Sequence, residues 1–178
     1  MTQRPSAKLL SAVQHLLAQL NEMTAQEFVG IVGPAFEHSP WIAETVAAQR
    51  PFATTDALHG AMCATVRDAA PDQQLALIRA HPDLVGRAVL TAESEGEQCA
   101  AGLSDLSAEE VALFDHYNRE YKARFDFPFV ICARLNKKEA ILEAFPRRLQ
   151  NTAEMECTTA LEEIFKIARL RLDALIVR

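Results

Sequence analysis

The sequence predicts an all-α fold: a single-domain bundle of about eight helices with one short extended segment near Phe127–Val130. Three observations predict it. Apolar residues recur at spacings of three and four almost throughout, while strict alternation is rare. Helix-start signatures punctuate the chain, either Ser/Thr-x-x-Glu or Ser-Pro. No internal repeat, linker or low-complexity stretch divides the 178 residues, a length at which a single domain buries ~70% of its unfolded surface.

Leu9, Leu10, Val13, Leu16, Leu17 and Leu20 form the stripe of a first helix. Thr24 and Glu27 make a capping box for a short second helix carrying Phe28, Ile31 and Val32. Ser39 followed by Pro40 opens a third helix to Gln49, which Pro51 ends. A fourth covers 55–69 with Leu58, Met62 and Val66 inward. Pro71-Asp72 starts a fifth, with Leu75 and Ile78, that stops at His81 because Pro82 disfavours helical backbone before it. The stretch 83–106 is acidic and weakly periodic, with one short helix between Ser94 and Gly102. Ser107 and Glu110 box a long helix to Arg124, with Val111, Phe114 and Tyr117 or Tyr121 on its face. Three phenylalanines around Pro128 describe a buried extended passage, too short to imply a sheet. Asn136 caps a helix to Phe145, and a last helix runs from Thr152 to Ile176 with Leu161, Ile164, Phe165, Ala168 and Leu172 inward.

Composition excludes whole classes of function. Lys plus Arg number 18 against 24 Asp plus Glu, a net charge of −6 that disfavours a nucleic-acid partner. The six glycines form neither common phosphate-binding pattern, so no nucleotide cofactor is expected. Four widely spaced cysteines read as buried thiols, and no histidine spacing suggests a metal. No run approaches a membrane span and no signal-peptide pattern opens the chain, so the expected setting is cytoplasmic.

A few polar residues stand out of place. His81, at a helix C-terminus, is expected to titrate toward or above neutrality and to act as a proton donor or anion clamp; the alternative is a helix-terminating imidazole bonding loose carbonyls. Ser94-Glu95-Gly96-Glu97 reads as a capping box ending at Gly102, or as a turn whose backbone donors from Glu95 to Gln98 hold a carboxylate or imide oxygen. Glu97 beside His81 would fix its tautomer and raise its pKa. Arg169 and Arg171 lie two apart on the last helix, so one of them points inward and demands an anion. Lys137-Lys138 and Arg147-Arg148 read as solvated faces, His15, His59 and His116 as surface or boundary residues, and Trp41 as a core anchor or pocket wall.

His81-Pro-Asp-Leu84, the Leu90-Thr91 step, Ser94-x-x-Glu97-Gln98 with Ala101-Gly102-Leu103, Phe127-Pro128-Phe129-Val130, and a final helix with Glu163-Ile164 and Arg171-Leu172 together resemble the OHCU decarboxylases. Phe36-Glu37-His38-Ser39-Pro40-Trp41-Ile42-Ala43 is similar to that family as well, and the likeness spans roughly Phe28 to Leu172. The resemblance implies an all-helical enzyme without cofactors, usually a homodimer. Its substrate would be 2-oxo-4-hydroxy-4-carboxy-5-ureidoimidazoline (OHCU), converted to (S)-allantoin and carbon dioxide. It implies His81 as catalytic proton donor, Arg171 as the arginine of the last helix, and substrate contacts at Pro82, at Ser94, Glu95, Gly96, Glu97 and Gln98, and at Phe129, Val130, Ile131, Cys132 and Ala133. Glu97, orienting His81, and Arg171, neutralising the anion or bracing the site, complete the expected catalytic set. Two departures stand out: Asp126 replaces a common glycine, and the loop from His81 to Ser94 is shorter than in many relatives. Rival readings are a noncatalytic helical adaptor, in which His81 and Ser94–Glu97 are only caps, and a hydrolase acting on 5-hydroxyisourate.

Overall fold

The computed structural model describes residues 15–86 and 90–177. Among them are nine α-helices: α1 (Leu17–Glu22), α2 (Ala25–Val32), α3 (Pro40–Ala47), α4 (Thr55–Arg67), α5 (Pro71–Arg79), α6 (Ala92–Ala100), α7 (Ala108–Phe125), α8 (Lys138–Arg148) and α9 (Ala153–Leu175). Short 3-10 turns cover Gly33–Ala35 and Ala133–Leu135. Two-residue strands β1 (His15–Leu16) and β2 (Ile176–Val177) pair in parallel. The bundle is all-α, as the periodicity predicts. No helix of the described residues is long and apolar enough to cross a membrane.

Helix α9 is the axis. Its Ala160, Leu161, Ile164, Phe165, Ala168 and Leu172 are buried at three- and four-residue spacings, and α2, α4, α5 and the 33–35 turn pack on it. A second, aromatic part of the core joins α7, α8 and the extended passage. There Tyr121 meets the edges of Phe127 and Phe129, and Phe129 stacks on Phe145 at 3.8 Å between centroids. The three Phe residues of 125–129 are all buried, so this passage forms a wall of the core without joining a sheet.

Several boundaries differ from the sequence reading. His15 and Leu16 are strand rather than helix, and Leu16 is 47% exposed; residues 9–14 of the expected stripe lie outside the described residues. The last helix gives up Ile176 to the partner strand, a β-branched residue that suits the ladder. Helix α3 stops at Ala47, before Gln49, and α8 starts after Lys137 and runs past Pro146 to Arg148. Val111 faces solvent, while Tyr121 is the fully buried tyrosine of α7. Of the cysteines, Cys63 and Cys132 are buried, but Cys99 is exposed and Cys157 half-buried. Arg148 is not on a solvated face. It is 5% exposed, and its guanidinium bonds Glu156, itself fully buried, and the Val130 carbonyl at 2.6 Å. Tyr121 donates its hydroxyl to Glu156, and Arg148 lies 4.3 Å above the Phe129 ring. The burial of Ile141, Ala144, Phe145 and Arg148 shows why: position 148 continues the inward stripe of α8.

Candidate active site

Helix α5 ends at Arg79 and Ala80 is its C-cap, so Pro82 does terminate the helix beside His81. His81 is 7% exposed. Its Nδ1 lies 3.0 Å from the Leu77 carbonyl, and since a carbonyl only accepts, Nδ1 carries the proton and Nε2 holds a bare lone pair. Nε2 has no hydrogen-bond partner among the described residues. Burial drives the imidazole pKa down from 6.5 to about 4. The Leu77 carbonyl and the Glu37 charge pull upward but are outweighed, and Arg171 and His38 push further down. This corrects the expectation of a raised pKa: the cost of desolvating the charged imidazole exceeds the upward pull of the helix-end carbonyls. His81 is therefore neutral near pH 7.

The turn after it is tightly specified. Gln98 takes the Val85 amide on Oε1 at 3.0 Å and donates from Nε2 to the Asp83 carbonyl, Asn118 donates to the Leu84 carbonyl at 2.8 Å, and Lys122 pairs with Asp83 at 2.6 Å. Val85 sits at φ +56°, a conformation a β-branched residue adopts only when its surroundings impose it. Gly86 closes the turn onto the Asp83 carbonyl; an added Cβ would lie 3.0 Å from the Asp83 Cβ.

Helix α6 begins earlier than its Ser-x-x-Glu pattern suggests. Thr91 is the N-cap, its hydroxyl accepting from the Ser94 amide, and the Glu95 amide already bonds Thr91. The amides of Glu95 to Gln98 thus lie within the helical ladder and are not the free donors expected of a helix start. Glu95 and Gly96 are exposed. Gly102, at φ +81°, does close the helix, with Leu103 bonding back to Gln98.

Ser94 is released from capping to join a buried network. Its hydroxyl donates to Glu37 at 3.1 Å, and Thr91 donates to the other Glu37 oxygen at 2.8 Å. Arg171 is the inward arginine of α9: it grips Glu97 through Nε (2.7 Å) and Nη2 (2.8 Å), and Glu37 and the Pro34 carbonyl through Nη1. Arg169 turns outward to Asp56 and Asp173. Burial lowers the tendency of Arg171 to stay charged, but Glu97 and Glu37 more than reverse it, holding its pKa above the ordinary arginine value. Burial likewise pushes the Glu37 carboxyl up, and the Arg171 guanidinium and Thr91 hydroxyl overcome it, leaving Glu37 below the usual carboxylate range.

The structure thus brings Ser94, Glu97 and Arg171 together but gives both Glu97 oxygens to Arg171, so Glu97 does not hold the His81 ring. Glu37 is the carboxylate that acts electrostatically on His81. Glu37 has no role in the sequence expectations; its signals are an acid between Phe36 and the Ser39-Pro40 helix start and its place in the family-like Phe36–Ala43 passage. Arg171 separates two clefts, one of about 620 Å³ lined by Gly96, Glu97 and Arg134, the other of about 450 Å³ lined by Glu37, His38 and Thr91. Residues 129–133 are all buried, and the Cys132 amide is committed to Glu163 at 2.8 Å. Pro82 follows His81 into the turn. His59 bonds the Phe165 carbonyl at the bundle's edge, and burial raises its neighbour Cys63 to about 11, an unreactive thiol.

The chain is similar to known proteins over most of its length. A 2-oxo-4-hydroxy-4-carboxy-5-ureidoimidazoline decarboxylase of Haloferax volcanii is 42% identical over 156 residues, covering 88% of this chain and 93% of that one. A crystal structure of (S)-allantoin synthase superposes with a TM-score of 0.75 at 30% identity, covering 91% of this chain and 54% of that one. A structure of OHCU decarboxylase in the presence of (S)-allantoin gives 0.62 at 25% identity, covering 74% and 87%. The family model described as OHCU decarboxylase matches residues 21–173, and the chain belongs to that family.

Proposed function

We propose that this chain decarboxylates OHCU to (S)-allantoin and carbon dioxide, the last step from urate to allantoin, with His81 as its proton-transfer group. Beyond family membership, one observation carries the mechanistic reading: the buried His81 Nε2, a lone pair without a partner on a ring whose other nitrogen is anchored.

The substrate carboxylate sits on a ring carbon that bears a hydroxyl and adjoins an imine. When the bond to the carboxylate breaks, its electron pair forms a double bond to the neighbouring carbon, and the imine nitrogen takes up the displaced pair with a proton from solvent. The substrate is its own electron sink, so the protein has to orient the breaking bond and manage protons. The resulting enol gives its hydroxyl proton to His81 Nε2, and the imidazolium returns it to the carbon bearing the ureido arm, on one face. A neutral His81 suits the first transfer, which revises the expectation of a protonated donor. Arg171, with its donors spread over Glu37, Glu97, Ser94 and Pro34, braces the wall of the site. Pro82, Ser94 to Gln98 and Phe129 to Ala133 are the proposed substrate contacts. Homodimeric assembly and a cytoplasmic setting are proposed on the family resemblance; light scattering of the purified chain tests the first.

The decisive assay generates OHCU enzymatically from urate and follows the circular dichroism of (S)-allantoin. Chiral product should form well above the spontaneous racemic rate, and His81→Gln should abolish the excess while keeping helical dichroism. No excess with the native chain would overturn the activity, and full activity in the variant would overturn the role of His81.

A further inference from the structure

The core-facing stripe of α7 consists of Phe114, Asn118, Tyr121 and Phe125, all buried. Three are aromatic, and Asn118 is the one amide among them, 6% exposed. A polar group in such a stripe carries a desolvation cost unless every polar atom is paired. Half of Asn118 is paired, its Nδ2 donating to the Leu84 carbonyl. Because that carbonyl only accepts, the amide cannot be turned round, and its oxygen faces away from Leu84. That Oδ1 atom has no partner among the described residues.

Only one other buried side-chain atom among the described residues shares this condition, and it is His81 Nε2. Both belong to groups fixed on the same short turn: His81 opens it, and Asn118 clamps it at Leu84, between the two bonds that Gln98 makes to Asp83 and Val85. The turn is held against the strained Val85 backbone, so its geometry, and that of the amide clamping it, is imposed by these contacts.

The substrate read for this site needs what Asn118 offers. Its ureido arm carries most of its N–H donors and requires an acceptor. The carboxylates near the site are spent, Glu97 on Arg171 and Glu37 on Arg171, Ser94 and Thr91. A neutral oxygen accepts an N–H without setting a further negative charge against the substrate carboxylate. We propose that Asn118 is a substrate-binding residue whose Oδ1 accepts an N–H of the ureido arm, and the proposal rests on the decarboxylase reading above.

The test compares (S)-allantoin with hydantoin, the same ring without the ureido arm, by calorimetric binding to the wild-type chain, Asn118→Ala and Asn118→Leu. Loosening of the turn alone weakens both ligands equally and leaves their ratio unchanged. Loss of a ureido contact lowers the preference for allantoin by about 3- to 10-fold, the worth of one neutral hydrogen bond. An unchanged ratio overturns the proposal. A crystal structure of the wild-type chain with (S)-allantoin needs no variant: Oδ1 within about 3.2 Å of a ureido nitrogen supports the assignment, and a water or nothing there refutes it. Wild-type turnover of OHCU separates the two levels. Turnover with an unchanged ratio removes Asn118 alone, whereas no turnover removes the decarboxylase reading and this proposal with it.

Discussion

Replacing His81 by glutamine isolates the effect of burying an imidazole, because glutamine can keep a bond to the Leu77 carbonyl but does not titrate. In the folded chain burial holds the His81 pKa at about 4, against 6.5 for the free group. Between those values the unfolded chain binds a proton that the folded chain refuses, so stability rises with pH across the interval and falls as the solution is acidified. Above pH 6.5 both states are neutral and the contribution is complete; by pH 4 it has gone. The interval corresponds to up to about 3 kcal/mol at 1.36 kcal/mol per pH unit. Urea unfolding of the wild type and His81→Gln from pH 7.5 to 4 measures it. The difference between the two should be constant above pH 7, then shift steadily in favour of the variant as pH falls. Parallel profiles would show that His81 titrates alike in both states. A shift in favour of the wild type would restore the helix-dipole expectation and refute the burial argument.

Glu37→Gln removes the charge that pulls the His81 pKa upward, so the acid limb of the pH–rate profile should move to lower pH; Glu97→Gln, whose carboxylate serves Arg171, should leave that limb in place while slowing turnover. Arg148→Met leaves Glu156 buried without its cation and should cost about 3–5 kcal/mol in denaturant unfolding, with Arg148→Met/Glu156→Leu recovering much of the loss. Asp126→Gly trades a residue at φ +60° for one at ease there but gives up the largely exposed pair with Arg79, so the net change in unfolding free energy should stay within about 1 kcal/mol.

Local rules carried the reading where one residue decides locally. Pro82 stops α5, Thr24 and Ser107 box their helices, and Gly102 closes α6 because only its left-handed backbone fits there. The rules fell short where two residues compete on equal local terms. Thr91 and Ser94 are both fit to cap α6, both give their hydroxyl protons to Glu37, more than fifty positions away, and only the backbone shows that Thr91 starts the helix. Arg148 was legible from the spacing of Ile141, Phe145 and Arg148, but adjacent cations resemble a solvated pair until the burial of Glu156 is seen. The titration of His81 depends on burial and Glu37, neither visible in the order of residues around it. Helix-end and turn positions single out His81 and Glu97, and the resemblance selects Arg171 over Arg169, while the pairing of Glu97 with Arg171 in place of His81 needs three dimensions.

The parallel pairing of His15–Leu16 with Ile176–Val177 has an architectural consequence. It sets the two extremities of the described chain side by side, about 4.8 Å apart as neighbouring strands are. Because the pair is parallel, a crossover linker of about a dozen residues from Val177 back to His15, with new termini opened at the exposed Ser104–Asp105 bend between α6 and α7, should yield a circular permutant that folds and keeps the His81 turn intact.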